Sequence, residues 1–215
     1  MLIRKECTGL VAVEILLSIS GVFIWIWSES QLPLGIAFGM LVLFAVTLYF
    51  FRDPKRKIPE QENIVISPAD GKVLQIRRHH EETFCSASVT TVSIFLRLWD
   101  MHVNLMPVSG TVLFTKHIRG TFYPAMTKKA KIYNEQMRIG LFNKHGRFLI
   151  RQVAGILVQR IVCNVQEGDT VLQGQRFGMI KFGSLVELSI PSCYQLCIQE
   201  NQVIKAGETI LGILE

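Results

Sequence analysis

The chain of 215 residues carries 23 Lys and Arg against 17 Asp and Glu, for a net charge of +6, and its mean hydropathy is +0.33. The apolar excess sits in the first 51 residues, so it argues against a wholly soluble domain and for membrane spans, and the positive balance then suits an anionic lipid surface better than nucleic acid. Five cysteines (Cys7, Cys85, Cys163, Cys193 and Cys197) include no Cys-x-x-Cys pair, which argues against a disulfide framework and for small apolar fillers in a reducing compartment.

Taken in chain order, the first element is an apolar stretch over 8–27, interrupted by Glu14. The second, over 32–51, has no charge at all. At about 1.5 Å per residue each spans roughly 30 Å, the thickness of the hydrocarbon core. Only Ser28, Glu29, Ser30 and Gln31 separate them, which predicts an antiparallel transmembrane hairpin. Arg4 and Lys5 precede it, and Arg52, Lys55, Arg56 and Lys57 follow it. The positive-inside rule therefore puts both ends, and the rest of the chain, on the cytoplasmic side of the cell (inner) membrane. A cleaved signal peptide would have a shorter apolar region and a small-residue cleavage site. Glu14 is costly in lipid unless it is neutral, faces the other helix, or lies before the span begins.

From residue 58 the pattern changes to short Val-, Ile- and Phe-rich runs separated by Gly, Asp, Asn and Pro. Strands are expected at 65–67, 72–76, 89–96, 110–115, 148–154, 159–165, 176–181 and 185–190. The segment 124–143 has fewer β-branched residues and reads as a short helix or irregular loop. The expected fold is mainly β, a sandwich or flattened barrel, with a membrane anchor over 1–57 and a β domain over 58–215. A weak internal echo relates 165–171 to 198–204, each a strand followed by a turn and another strand. The same cadence occurs in biotinyl and lipoyl carrier domains.

Chemistry concentrates at few places. Gly183-Ser184 follows an apolar strand-like run. A serine hydroxyl beside a strained carbonyl can attack it, and a preceding glycine leaves room for that approach. The ester formed can eliminate to dehydroalanine, which hydrolyses to a pyruvoyl group and ammonia. Asp70-Gly71, taken alone, is a turn between strands. His102, taken alone, is a structural histidine. No His, Cys, Asp or Glu cluster has metal-ligand spacing, so no metal is expected. Lys128, Lys129 and Lys131 read as a solvated face or as contacts to lipid phosphates.

Several ordered segments resemble the short, membrane-anchored phosphatidylserine decarboxylases. They are Phe50-Phe51-Arg52-Asp53-Pro54, Ser67-Pro68-Ala69-Asp70-Gly71-Lys72-Val73, Asp100-Met101-His102-Val103-Asn104 with Pro107-Val108-Ser109-Gly110, Asn134-Glu135, Gln152-Val153-Ala154-Gly155, and Gly178 through Ser184. The resemblance implies self-cleavage between Gly183 and Ser184. Ser184 would become a pyruvoyl cofactor heading a small chain, 184–215, which stays with 1–183. It implies that Asp70 and His102 support cleavage and turnover, and it marks Asn134 and Glu135 as substrate-site candidates. The implied substrate is a phospholipid serine in the bilayer, either diacyl or ether-linked, and a homo-oligomer is compatible with this reading. Long forms of the family carry a second His where this chain has Leu105, and many short forms carry Arg at the positions of Leu105 and Leu185. A different class stays open beside the enzyme: a non-catalytic, carrier-like or degenerate β domain, with Lys181 as its nearest carrier lysine.

Overall fold

In the computed structural model, which describes residues 2–3, 8–28, 30, 32–50, 52–59, 61–156, 161–180 and 184–215, the two apolar stretches are helices. The chain divides into two units, Met1–Lys55 and Arg56–Glu215. In the first, strand β1 (Leu2–Ile3) precedes helices α1 (Thr8–Trp27) and α2 (Leu32–Phe50), and strand β2 (Arg52–Asp53) pairs back onto β1. Leu32–Tyr49 is long and apolar enough to cross a membrane, whereas the apolar part of α1 is the shorter Ala12–Trp27. Glu14 faces the other helix: it is buried, and its Oε1 accepts a hydrogen bond from Thr47 Oγ1 at 2.9 Å.

The second unit is mainly β, in line with the alternation of its sequence. Its elements are β3 (Ile64–Ile66), β4 (Gly71–Glu81), β5 (Ala87–Leu96), β6 (Val103–Leu105), β7 (Gly110–Ile118), helix α3 (Lys128–Tyr133), β8 (Gln136–Asn143), β9 (Gly146–Val153), β10 (Ile161–Cys163), β11 (Thr170–Val171), β12 (Arg176–Ile180), β13 (Ser184–Pro191), β14 (Tyr194–Leu196), β15 (Val203–Ile204) and β16 (Ile210–Leu214). An eight-stranded antiparallel sheet runs β11-β7-β8-β9-β13-β5-β4-β15. Two three-stranded sheets, β10-β12-β6 and β14-β16-β3, complete the unit. The expectation of helix or loop over 124–143 holds only for its first half. Gln136–Asn143 is a full strand paired on both sides, because Ile139 and Leu141 alternate into the core while Arg138 stays on the other face. The inner face carries Val92, Ile94 and Leu96 of β5, Val186, Leu188 and Ile190 of β13, and Phe148 and Ile150 of β9.

The internal echo extends to the whole unit as an approximate two-fold repeat. Val112 exchanges both backbone hydrogen bonds with the turn at Gly168 and Asp169, and Val73 does the same with Asn201 and Gln202. Gly168 (φ +93°) and Asn201 (φ +69°) both take the left-handed conformation that glycine and asparagine tolerate best. Both β4 and β7 carry a bulge at the matching place, Val73/Gln75 and Val112/Phe114. Leu105 N–H donates to Pro68 O, and reciprocally Ile66 N–H donates to Pro107 O. Leu188 opposite Ile150 marks the axis.

One repeat, β6 to β12, is continuous. The other, β3–β5 with β13–β16, is split around it. In the continuous repeat β8 turns directly into β9 through Lys144 and His145. In the split repeat the corresponding hairpin, β5 to β13, is opened and the other repeat is inserted, leaving two junctions at 97–102 and 181–183.

Gly71 and Gly110 are repeat mates, and each lies against the neighbouring strand. A Cβ would sit 2.2 Å from Phe95 O at Gly71 and 2.5 Å from Phe142 O at Gly110. Alanine at either position is therefore expected to destabilise the protein by about 1–3 kcal/mol. Thermal unfolding of the two variants checks this, and an unchanged midpoint in either would show that the backbone yields.

Candidate active site

Ser184 is the first residue of β13, opposite Leu96 at the end of β5. Because side chains alternate along a strand, it points inward with Val186, Leu188 and Ile190. It is fully buried, and its Oγ has no hydrogen-bond partner among the described residues. Gln152 on β9 pairs with Val186, so it is the diagonal neighbour of Ser184 on the same face, roughly 7–8 Å away. Gln152 Nε2 donates to Asn104 Oδ1 at 2.7 Å, while its buried Oε1 is without a partner among the described residues. Asn104 Nδ2 in turn donates to Pro68 O at 3.4 Å.

His102 ends the other junction. It is buried, and its carbonyl accepts from Ile180 N–H at 3.2 Å. The two junctions are thus tied at both ends, Leu96 to Ser184 and His102 to Ile180, which brings His102 and Ser184 to one seam. Gly183, the other half of the expected cleavage site, lies outside the described residues, as does Lys181.

Asp70 uses both carboxylate oxygens. Oδ1 accepts from Ala206 N–H at 2.7 Å, and Oδ2 pairs with Arg56 Nη2 at 2.6 Å. That Arg56 nitrogen also lies 3.6 Å from the sulfur of Met101, beside His102. Among the basic residues that follow the hairpin, Arg56 is thus a structural partner: its side chain is 12% exposed and held inside the fold. Its repeat context separates the two roles of Asp70. Ser109 occupies the matching place and accepts from Gln173 N–H at 2.9 Å, as Oδ1 does from Ala206. The ion pair with Arg56 is the addition. His102 corresponds to Asn63, whose carbonyl accepts from Leu214, and Ser184 corresponds by register to Gly146. All three candidate catalytic residues are thus places where the repeats differ.

Asn134 and Glu135 sit at the same end of the sheet. Both N–H groups of the Asn134 amide are used within the chain, on Tyr123 O and Ala154 O, and its Oδ1 accepts from Tyr123 N–H. It pins the connection before β8. Glu135 meets His117 at 2.9 Å. Leu105 and Leu185 are both buried, and Leu185 packs against Ala125 and Val153. The reading of single motifs passed over Arg56, Asn104 and Gln152. For Asn104 a signal existed: it is a polar residue within the apolar run Val103-Asn104-Leu105-Met106.

The family model for phosphatidylserine decarboxylase matches residues 43–212. A phosphatidylserine decarboxylase proenzyme of Chlorobium phaeobacteroides is 42% identical over 187 residues, covering 87% of each chain. That of Ehrlichia ruminantium is 40% identical over 215 residues, covering 99% of this chain and 91% of its own.

On the outer face of β13, three residues beyond Ser184, Glu187 is buried between Arg151 and Lys131 of α3. Lys131 Nζ lies 2.9 Å from its Oε1, Ser93 Oγ donates to the same oxygen at 2.8 Å, and Arg151 pairs with Oε2. Lys131 is thereby a tie between α3 and the sheet, not part of a solvated lysine face. Burial pushes the Glu187 carboxyl up, but Arg151 and Lys131 more than offset it, and the net pKa lies below 4.5. The stabilisation is therefore complete above the ordinary carboxylate range and is lost as pH falls through the lowered native value. Glu187→Gln leaves two cations uncompensated and is expected to cost about 3 kcal/mol at neutral pH. It should also flatten the acid limb of the stability profile. Denaturant titrations at neutral pH and below pH 4 check both, and parallel profiles for variant and parent would refute the assignment.

Proposed function

The chain belongs to the phosphatidylserine decarboxylase family, and from that premise we propose that it is a proenzyme that cuts itself between Gly183 and Ser184 and then converts phosphatidylserine to phosphatidylethanolamine. The observation that carries this reading is the Ser184 hydroxyl, buried without a partner among the described residues at the seam between repeats. Leaving a buried hydroxyl unbonded costs roughly 1–3 kcal/mol, so a fold that keeps one there favours a chemical use for it.

In the proposed maturation, Ser184 Oγ attacks the Gly183 carbonyl carbon while His102 takes the hydroxyl proton. The Gly183–Ser184 C–N bond breaks, and Gly183 becomes esterified to Oγ. Loss of the Ser184 Cα proton expels the Gly183 carboxylate and leaves dehydroalanine. Water then adds at Cα and ammonia departs, so Met1–Gly183 and a pyruvoyl-headed 184–215 result. The surroundings fit such a group: the Gln152 amide on the inner face and the buried Asn104 behind it provide a polar lining in an otherwise apolar core. When present, the pyruvoyl carbonyl supplies the electron sink for loss of carbon dioxide. His102 is then positioned to return a proton to the substrate carbon. Asp70 and Arg56, paired beside Met101, hold the His102 junction in place.

Residues 1–57 serve in this reading as the anchor and 58–215 as the catalytic domain, on the cytoplasmic side of the inner membrane, where the substrate head group is met without leaving the bilayer. The small chain stays bound because β13 pairs with β5 from Ser184 to Pro191 and with β9 from Leu185 to Ser189.

Intact mass spectrometry tests the proposal directly. The wild-type chain should give two fragments split after Gly183, the smaller with a pyruvoyl terminus. Both should co-purify under native conditions, and Ser184→Ala should remain whole. An uncut wild-type chain would overturn it. A second substitution isolates the added function of Asp70. Asp70→Ser reproduces its repeat mate, so an acceptor for Ala206 N–H remains while the Arg56 pair is lost. Arg56 keeps only the more distant Glu208, at 3.7 Å, so the variant is expected to fold with a lowered melting temperature. At a temperature where it is fully folded, its self-cleavage should be slower by about 10²-fold or more, within the range for a lost acid–base arrangement. Normal cleavage by that variant would remove Asp70 from the chemistry.

A further inference from the structure

The internal repeat supplies its own control for the Ser184 end of the sheet. Strand register puts the β5–β6, β7–β8 and β9–β10 connections at that end, because Leu96 faces Ser184, Leu185 faces Val153, Val153 faces Gln136, and Gln136 faces Ile118. Each connection is longer than its repeat mate at the other end: 97–102 against 144–145, 119–135 against 82–86, and, counting only its described residues, 154–156 against 192–193. The added residues are not polar padding. Leu98, Trp99, Tyr123, Met126, Ile132 and Ile156 are exposed there, with Trp99 at 56% and Met126 at 62%. The three mate connections expose no large apolar side chain.

Cations accompany this apolar rim. Arg119, Lys128 and Lys129 are exposed within it. The Arg97 guanidinium lies 5.5 Å from the Trp99 ring centre, and the Lys129 ammonium 5.8 Å from that of Tyr123. The carboxylates at this end are already taken, Asp100 by a two-pronged pair with Arg97 and Glu135 by His117. What remains outward is apolar, aromatic and positive, the combination that seats at an anionic bilayer interface.

We propose that this rim is a bilayer-docking surface, in which Trp99 and Met126 enter the interface and Lys128 and Lys129 engage anionic head groups, so that the end of the sheet that carries Ser184 faces the membrane. The proposal rests on the lipid substrate of the preceding reading, but its first test does not depend on catalysis. The full chain with Trp25→Phe and Trp27→Phe carries Trp99 as its one tryptophan. It is reconstituted into phosphatidylglycerol–phosphatidylcholine vesicles with plain or brominated acyl chains. Trp99 emission should be strongly quenched by the brominated lipid, and Lys128→Glu with Lys129→Glu should abolish most of that quenching. Equal emission in the two vesicles would overturn the proposal whether or not the protein is an active decarboxylase. In the second arm, the same double variant in the otherwise native chain should cleave itself normally and keep its kcat. Its apparent KM for phosphatidylserine in anionic vesicles should rise several-fold, with no change toward a short-chain, water-soluble phosphatidylserine. An unchanged vesicle KM would likewise refute docking.

Discussion

Everything in the second unit depends on β13 lying between β5 and β9. Its eight residues pair with β5 from Ser184 to Pro191 and with β9 from Leu185 to Ser189, and Val186, Leu188 and Ile190 fill the centre of the core. The contact of Leu188 with Ile150 on the repeat axis makes the same strand the join between the two halves. Cutting the chain immediately before β13 removes no rung of either ladder, since Ser184 is its first paired residue. A break within the strand would separate the residues that hold the sheet closed. The proposed cut therefore falls where a covalent bond can be lost while the pairing of β13 with β5 and β9 is retained.

The same constraint bears on where the candidate catalytic residues fall. In β8–β9 the hairpin closes through two residues, and Gly146 stands where Ser184 stands in the other copy. Opening the equivalent hairpin to admit a whole repeat brings two connections together, one of them, 97–102, turned by Asp100 N–H on Arg97 O. Irregular backbone held by rigid strands on either side is where proteins place groups that must meet in one geometry. Asp70 shows the step in miniature: one oxygen does what Ser109 does in the other copy, and the second oxygen is free to take Arg56.

Much of this was legible in the residues, and the failures have physical causes. Helix ends at Thr8, Trp27 and Leu32 followed from two long apolar runs and the short polar loop between them. Most strands followed from alternation. β8 did not, because Gln136, Met137 and Arg138 have low strand propensity, and only pairing with β7 and β9 overrides it. The echo between 165–171 and 198–204 was visible, but the insertion was not, since it lies in which strands pair rather than in what they contain. Arg56 reads as a linker cation beside Lys55 and Lys57. Only the fold brings Asp70 and Met101 to it.

The departures from two-fold symmetry also divide the surface. At one end of the sheet the connections are as short as turns permit, and their apolar side chains are turned inward, as with Phe84 stacked on Phe114. At the other end the chain adds 119–135 with α3, and it fixes that addition twice, by the Asn134 amide on Tyr123 and Ala154 and by Lys131 on Glu187. Two buried polar ties are a large investment for a connection that the mate repeat makes in five residues, 82–86. They make sense if the segment must be held rigid while it presents apolar side chains outward. An enzyme whose substrate keeps its tails in the bilayer must bring its site to the interface, and the elaborated end is the end that carries Ser184.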